Sequence, residues 1–410
     1  MTYRIAQTAF KNISRNKRRS ILSGAAIAVA SMSIVMLFAI IGGMSKDMEA
    51  NLRNYYTGDV NIRNVDYEEY ERFNPVHLTF NIDDAENVLA KIEGVDSWVP
   101  RTTFPTNMYI GGSNYGALGV GVDFSREAEY ADLESIVKDG RLPEAGKNEM
   151  FIGAVLANNL HLKLGDKVTI MSMTASRGTN AITLKIAGIA AFPVAALNTS
   201  NFWMPLDRAQ YFLQTPGGAQ QIMIKTADGA RSDTVADEIS TVLREAGIPG
   251  DVNRMQDMSL MFGLLRLADA VYNVIAVFFF LLGSTVIINT TMMVIFERMR
   301  EIGTLSALGM HGKELVRLFM LEGTFISAVG AGIGVIIGAA ATLYLGRIGI
   351  DFTDAMQGMD MEISSILYPI LSVPRTIFVY FYSVAIATLA TLIPSRKASR
   401  IQPVEALKYI

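Results

Sequence analysis

The amino-acid sequence predicts an α-helical membrane protein with four transmembrane helices in a one-plus-three arrangement. A large α+β extracytoplasmic domain of two subdomains, one of them β-rich, lies between the first and second crossings. Three observations carry this. Four long stretches hold no charged residue, basic residues gather at the ends that one topology places in the cytoplasm, and the segment between the first two stretches alternates like a folded domain. Of the 410 residues half are hydrophobic and 18% are charged, against about 25% charged in a typical soluble domain.

Residues 1–20 read as a cytoplasmic amphipathic helix lying in the interface: Ile5, Ala6, Ala9, Phe10 and Ile13 share one face, with Arg and Lys on the other. A crossing needs roughly 20 predominantly apolar residues. Residues 21–44 meet that requirement, as do 270–296, 323–346 and 376–395, the last three each bounded by charged residues. Helices buried in a soluble core rarely run that far without one ionised group. Gly43-Met44-Ser45 could pass for a signal-peptide cleavage site, but the apolar run before it far exceeds the roughly 7–15 residues of a signal sequence. The first segment is therefore read as an anchor.

Basic residues orient the chain. Arg4, Lys11, Arg15, Lys17, Arg18 and Arg19 precede the first crossing, and no acidic residue appears before Asp47. The amino terminus is thus expected in the cytoplasm. The tail at 396–410, with Arg396, Lys397, Arg400 and Lys408, falls on the same side. The connection at 347–375 carries Asp351, Asp354, Asp360 and Glu362 and falls outside.

The external domain spans 45–269. Met108 to Ile110 and Ala117 to Val122 flank Gly111-Gly112, and Lys167 to Met171 and Ile182 to Ala187 flank a loop rich in Ser, Thr and Gly, so both read as hairpins. Asn81 to Ile92 and Ser232 to Ala246 have helical spacing, and each follows a strand-like run such as Asp59 to Ile62 or Gln221 to Lys225. Two strand–helix units bracket a β-rich middle, which suggests one subdomain from both ends of the segment and another from its centre. The absence of cysteine excludes disulfides and thiolate metal sites.

Catalytic patterns are missing. A P-loop would need G-x-x-x-x-G-K-S/T, but Gly146-Lys147 has Arg141 and Gly312-Lys313 has Ala307 where the first glycine belongs. Neither H-E-x-x-H nor G-x-S-x-G occurs, and no set of His and carboxylates suggests a metal. The spans hold no Asp, Glu, His, Lys or Arg to mark an ion pathway. In the third span Gly330, Gly334 and Gly338 recur every four residues, and Thr342 continues the row. Such a strip lets another helix backbone approach closely, within or between subunits.

The remaining distinctive segments are cytoplasmic. Residues 297–322 open with Glu297-Arg298-Met299-Arg300-Glu301-Ile302-Gly303-Thr304-Leu305-Ser306-Ala307-Leu308-Gly309-Met310, a short amphipathic helix that could dock into a partner's groove or simply be a solvated loop. After the last span comes Pro394-Ser395-Arg396-Lys397-Ala398-Ser399-Arg400-Ile401-Gln402-Pro403-Val404-Glu405-Ala406-Leu407. Together with Leu321-Glu322-Gly323, the N-terminal A-x-x-N-I-x-R-N-K-R-R-S, Gly58 to Val60, Gly140-Arg141-Leu142, Leu164 to Val168 and Trp203 to Leu206, these motifs resemble the MacB/FtsX/LolC-type permeases of mechanotransmission ABC transporters. The chain departs from the family at Ser306, where a basic residue is frequent.

The resemblance implies a porter-like first subdomain, a non-catalytic permease subunit, and a second copy or paralogue paired with it on a LolD-like ABC ATPase dimer. It assigns the ATPase contact to Glu297, Arg298, Glu301, Ile302, Gly303, Leu305, Leu308 and Gly309. ATP and Mg belong to the partner chain, and neither a cofactor of this chain nor a nucleic-acid partner is expected. Movement of the external domains would push a substrate already outside the cytoplasm. The large external domain disfavours the FtsX branch, and a chain opening directly on its cytoplasmic helix favours lipoprotein release from the inner membrane over MacB-like export of peptides, toxins or drugs. The loop at Ser172, Thr174, Arg177 and Asn180 is, by position, the candidate docking loop for a periplasmic lipoprotein chaperone.

Overall fold

The computed structural model describes residues 17–70, 75–258, 310–352 and 366–399, with isolated residues elsewhere, most of them between 267 and 304. The chain divides into two compact units: one from Met1–Ser45, Leu265–Ile350 and Leu367–Ile410, the other from Lys46–Leu264 and Asp351–Ile366.

Among the described residues of the first unit, three helices are long and apolar enough to cross a membrane. They are α1 (Lys17–Asn51), α2 (Gly312–Ile348) and α3 (Val373–Ala398). The expected span at 270–296 lies largely outside the described residues, and those described within it are helical. The expected cytoplasmic helix at 1–20 is described only at Gln7, Ala9 and 17–20, and the tail only to 399.

Two helices outrun their apolar stretches. At about 1.5 Å per residue, α1 is roughly 52 Å long and α2 roughly 55 Å, against about 30 Å of hydrocarbon. The peptide hydrogen bonds of α1 continue past Met44 through Ser45–Asn51 into a π-helical turn at Leu52–Tyr56. α2 starts well before its apolar run. The Glu314 carboxylate accepts from the His311 N–H at 3.0 Å, and the Glu314 N–H donates back to the His311 carbonyl at 2.8 Å, which caps the helix at residue 312 rather than 323. At its other end Gly349 adopts φ 79° and its N–H returns to the Leu345 carbonyl.

The second unit holds the sheet. Its strands are β1 (Val60–Arg63), β2 (Phe80–Asn81), β3 (Val95–Ile110), β4 (Ser113–Val122), β5 (Val137–Gly140), β6 (Glu149–Gly153), β7 (Lys167–Met173), β8 (Thr179–Ala190), β9 (Asn201–Pro205), β10 (Gly218–Ala219), β11 (Gln221–Thr226) and β12 (Asp251–Arg254). The order is β12-β1-β11-β3-β4-β9-β6-β8-β5, with β7 paired to both β3 and β8, and a separate β2–β10 pair. The pairings β3-β4-β9-β6-β8-β7-β3 thus close a ring of six strands. Its interior is filled by Phe104, Met108, Ile152, Ile170, Leu184, Phe202 and their neighbours. Gly119 permits this filling, because a Cβ there would meet the rings of Phe104 and Phe202.

Both expected hairpins are present. Ile110 faces Ser113 across Gly111-Gly112, whose φ values of 57° and 86° suit the two-residue turn that matches strand twist. β7 and β8 pair antiparallel from Lys167↔Lys185 to Met173↔Thr179. The helices Ile82–Leu89 and Ser232–Glu245 pack Val88, Leu89, Val235 and Ile239 against Ile62, Ile222 and Ile224 of β1 and β11. Those strand–helix sets share a continuous sheet with the β-rich centre, because the 16-residue β3 pairs with β11 along its first half and with β7 near its end.

Candidate functional site

The segment assigned to ATPase coupling, with Glu297, Arg298, Glu301, Ile302, Gly303, Leu305, Leu308 and Gly309, lies outside the described residues. The base of α2, next along the chain, is packed. Leu315 and Phe319 are buried with Met310 against them, and Leu318 is buried with Ala9. This end of the helix therefore presents an apolar face, although Lys313, Glu314 and Arg317 run through its sequence.

The glycine row of α2 lies against α1. A Cβ on Gly330 would stand 2.5 Å from the Gly24 carbonyl oxygen, one on Gly334 would strike the Ala28 carbonyl, and one on Gly338 would come 3.1 Å from the Met32 carbonyl. Contacts fall every four residues on both helices. In lipid this is how helices associate, because apolar side chains gain nothing by leaving an apolar solvent and close packing must supply the attraction. Hydroxyls extend the packing: Ser31 Oγ donates to Ser383 Oγ at 3.0 Å, and Thr324 and Thr388 share a 2.9 Å bond.

The β7–β8 loop is largely tied down within its own domain. Ser172 Oγ donates to the Pro105 carbonyl at 2.7 Å, and Thr174 bonds Ser176 at 2.9 Å while its N–H donates to the Gly178 carbonyl. Asn180 Nδ2 donates to the Phe212 carbonyl at 3.0 Å. Ser172 and Thr174 are buried, whereas Arg177, at φ 62°, and Met173, 62% exposed, face outward. Beside them is a concavity lined by Tyr70, Pro75, Val76, His77 and Pro105.

A charged cluster with no counterpart among the sequence-predicted sites surrounds the end of the first helix. Arg101 of β3 is buried, and its guanidinium grips Glu127 of the helix Phe124–Ala131 with both ends of the fork, Nε to Oε1 at 2.5 Å and Nη2 to Oε2 at 2.7 Å. The same guanidinium donates from Nη1 to the Tyr55 carbonyl and from Nη2 to the Asn54 carbonyl, each at 2.7 Å. The Tyr130 hydroxyl donates to the Arg53 carbonyl at 3.0 Å. Lys225 Nζ donates to the Tyr130 carbonyl and lies 4.4 Å from the centre of its ring, and Arg53 pairs with Asp59 at 2.8 Å.

Burial alone would lower the Arg101 pKa, but the Glu127 carboxylate and its hydrogen bond raise it above its ordinary value. Burial pushes the Tyr130 phenol well above its usual range, so it remains a donor. Lys225 is pulled below its ordinary value by burial first and by the nearby Arg53 second. The last carbonyls of a helix have no partner within it. Here side chains from β3 and the helix Phe124–Ala131 supply three.

The signal in the sequence was a charge on an apolar face. Arg101 sits two residues from Val99 on β3, and Glu127 lies among Phe124, Tyr130 and Ala131. Nothing in the spacing paired them across 26 residues.

Comparison with known proteins finds relatives of the chain by sequence. The MacB-like periplasmic core domain matches residues 20–242, and the FtsX-like permease C-terminal region matches residues 273–403. The lipoprotein-releasing system transmembrane protein LolC of Neisseria meningitidis is 20% identical over 95% of this chain and 94% of its own length. The macrolide export ATP-binding/permease protein MacB of Bdellovibrio bacteriovorus is 22% identical over 98% of this chain and 61% of its own length. Among solved structures, the periplasmic region of MacB from Actinobacillus actinomycetemcomitans aligns with 50% of this chain and 92% of that one, at 18% identity and a TM-score of 0.38.

Proposed function

The chain belongs to the FtsX-like permeases that carry a MacB-like periplasmic core domain, and from that premise we propose that it works in lipoprotein release. It is an ABC transporter permease of the LolC, MacB and FtsX type. The observation that carries the finer reading is the likeness to a lipoprotein-releasing LolC through both the membrane and external regions, over 95% of this chain.

In this reading the helices are levers. The runs at 21–44, 323–346 and 376–395 contain no charged side chain, so they offer no ion pathway of the kind that intramembrane ionisable groups mark. Both termini face the cytoplasm, the core domain faces the periplasm, and the chain resides in the inner membrane with a second permease copy or paralogue. Ile302, Leu305 and Leu308 seat on a groove of a LolD-like ATPase dimer, flanked by Glu297, Arg298 and Glu301, with Gly303 and Gly309 bounding the contact. ATP and Mg are held by that partner. Gly330, Gly334 and Gly338 keep α2 against α1, so that a push at the base of one helix moves both. Arg177 and Met173, exposed on the β7–β8 loop, form the docking surface for a periplasmic lipoprotein chaperone.

Copurification tests the cargo. The chain, purified with its ATPase from native membranes, is expected to carry lipoprotein that leaves when ATP is added. A stably bound cell-wall hydrolase with no lipoprotein would instead support transmembrane signalling of the FtsX kind. The second transport reading is export of peptides, toxins or drugs, favoured by the likeness to MacB over 98% of this chain. It predicts ATPase stimulation by such a compound and none by lipoprotein.

A further inference from the structure

Resting on the lever reading above, we propose that Arg101, held by Glu127 and assisted by Tyr130, is the joint through which displacement of the first helix reaches the sheet. Three observations converge on it. The helix that begins in the first apolar run is continuous from Ser20 to Tyr56, and its last carbonyls are taken by side chains: Arg53 by Tyr130, and Asn54 and Tyr55 by Arg101. The guanidinium is planar, and its Nε, Nη1 and Nη2 are all engaged, with two bonds to the Glu127 carboxylate and two to the helix. A fork fixed on both sides has no freedom to swing, which a lysine ammonium on its flexible stem would retain.

The second observation is where Arg101 sits. On β3 it pairs with Gln221 of β11 on one side and Val122 of β4 on the other. That is the strand common to the open part of the sheet and to the closed six-strand ring. A displacement delivered there reaches both without passing through a loop.

The third is the balance of charge. Arg53, Arg101 and Lys225 lie among Asp59, Asp96 and Glu127, and of the three cations Arg101 is the most deeply buried. The Arg101 guanidinium lies against the negative end of the helix dipole, where a cation is favourable. The helix end thus completes the cluster, and withdrawing it would leave a buried cation short of partners. The helix is also held on a second side: the Asp47 carboxylate accepts from the Ser364 N–H at 3.0 Å and from its hydroxyl at 2.8 Å, and Ser364 bridges to Val194.

Arg101 is a positioning residue, and its test must separate coupling from folding. Because the chain has no cysteine, a spin label can be placed singly through Glu49→Cys, on the exposed surface of α1, or through Tyr115→Cys, near the tip of the β3–β4 hairpin. Pulsed electron resonance on the full complex in nanodiscs, with the copurified ATPase, reads the copy-to-copy distance at each site with and without Mg-ATP. In otherwise unaltered protein both distances are expected to shift with nucleotide. Arg101→Lys is expected to keep the Glu49→Cys shift and to cut the Tyr115→Cys shift at least threefold. Glu127→Gln, which keeps side-chain shape, should act in the same direction and serves if the lysine variant does not fold. A full Tyr115→Cys shift in either variant overturns the joint, as does a Tyr115→Cys site that never moves while Glu49→Cys does. If neither site moves in the unaltered complex, the lever reading itself is overturned and the joint falls with it.

Discussion

The helix unit and the sheet unit are held together by opposite means. The sheet unit buries large side chains, with Phe104, Phe151, Phe202 and Phe212 each almost fully enclosed. The helix unit also buries large ones such as Ile34 and Phe319, but its closest helix contacts run through small ones, with Gly330, Gly334, Gly338, Ala331, Ser31, Ser327, Ala387 and Thr391 enclosed. Water makes the difference. Removing a phenyl ring from water drives the first kind of packing, whereas in hydrocarbon a phenyl ring gains nothing by leaving its solvent, and close backbone approach is what remains. Small residues where the helices meet and large residues inside the sheet unit therefore do the same job.

That contrast can be broken by exchanging the sizes. In the sheet unit, Phe202→Ala should cost about 3–5 kcal/mol. Both tryptophans, Trp98 and Trp203, lie in this unit, so the urea midpoint of the full chain read by tryptophan emission measures the loss directly. In the helix unit the damaging change runs the other way. Gly334→Leu drives a side chain into the Ala28 carbonyl and should cost about 3 kcal/mol, seen as earlier thermal loss of monodispersity in detergent while the tryptophan-reported midpoint stays. Gly332 lies off the row, and a Cβ added there would meet only Tyr380, at 3.8 Å, so Gly332→Ala should leave both readouts unchanged.

Polar contacts sharpen the comparison at smaller scale. Glu149 in the sheet unit is held below its ordinary pKa first by the hydrogen bond from Arg141, which lies 2.7 Å away. A lowered carboxylate pKa stabilises the fold above the unfolded value of about 4.3 and is lost as pH falls through the folded value. Arg141 is half exposed, so Arg141→Gln should cost at most about 1 kcal/mol at neutral pH, and its difference from the parent midpoint should shrink as the pH is taken below that of an ordinary glutamate. Ser31→Ala, which removes the interhelical bond to Ser383, should cost the least, about 0.6 kcal/mol by thermal denaturation in detergent.

What could be read from the sequence came from constraints that act locally. A backbone in hydrocarbon must satisfy its own hydrogen bonds, so the charge-free runs at 21–44, 323–346 and 376–395 announced helices. Gly111-Gly112 announced a hairpin because few other residues tolerate two positive φ values in succession. The helix ends were less legible, since hydropathy ends at Met44 while the peptide ladder of α1 continues to Asn51. Gly330, Gly334 and Gly338 marked a close approach, but a repeat on one helix does not name the helix it meets. Ser172, Thr174 and Asn180 look in sequence like any exposed polar loop, and only their bonds to Pro105, Gly178 and Phe212 distinguish them from Arg177. Arg101 and Glu127 were hidden for a related reason: the strand–helix order brings them together, and no local rule records that order.

In the proposed function the chain bears on an ATPase through the segment between its second and third crossings. Deletion of Gly303 to Gly309 tests this most directly, with the full chain purified from membranes and the bound ATPase quantified. The expected result is that the ATPase is lost while the chain still inserts and its tryptophan-reported unfolding midpoint is unchanged. An ATPase that copurifies with the deleted chain at the parent level would contradict it.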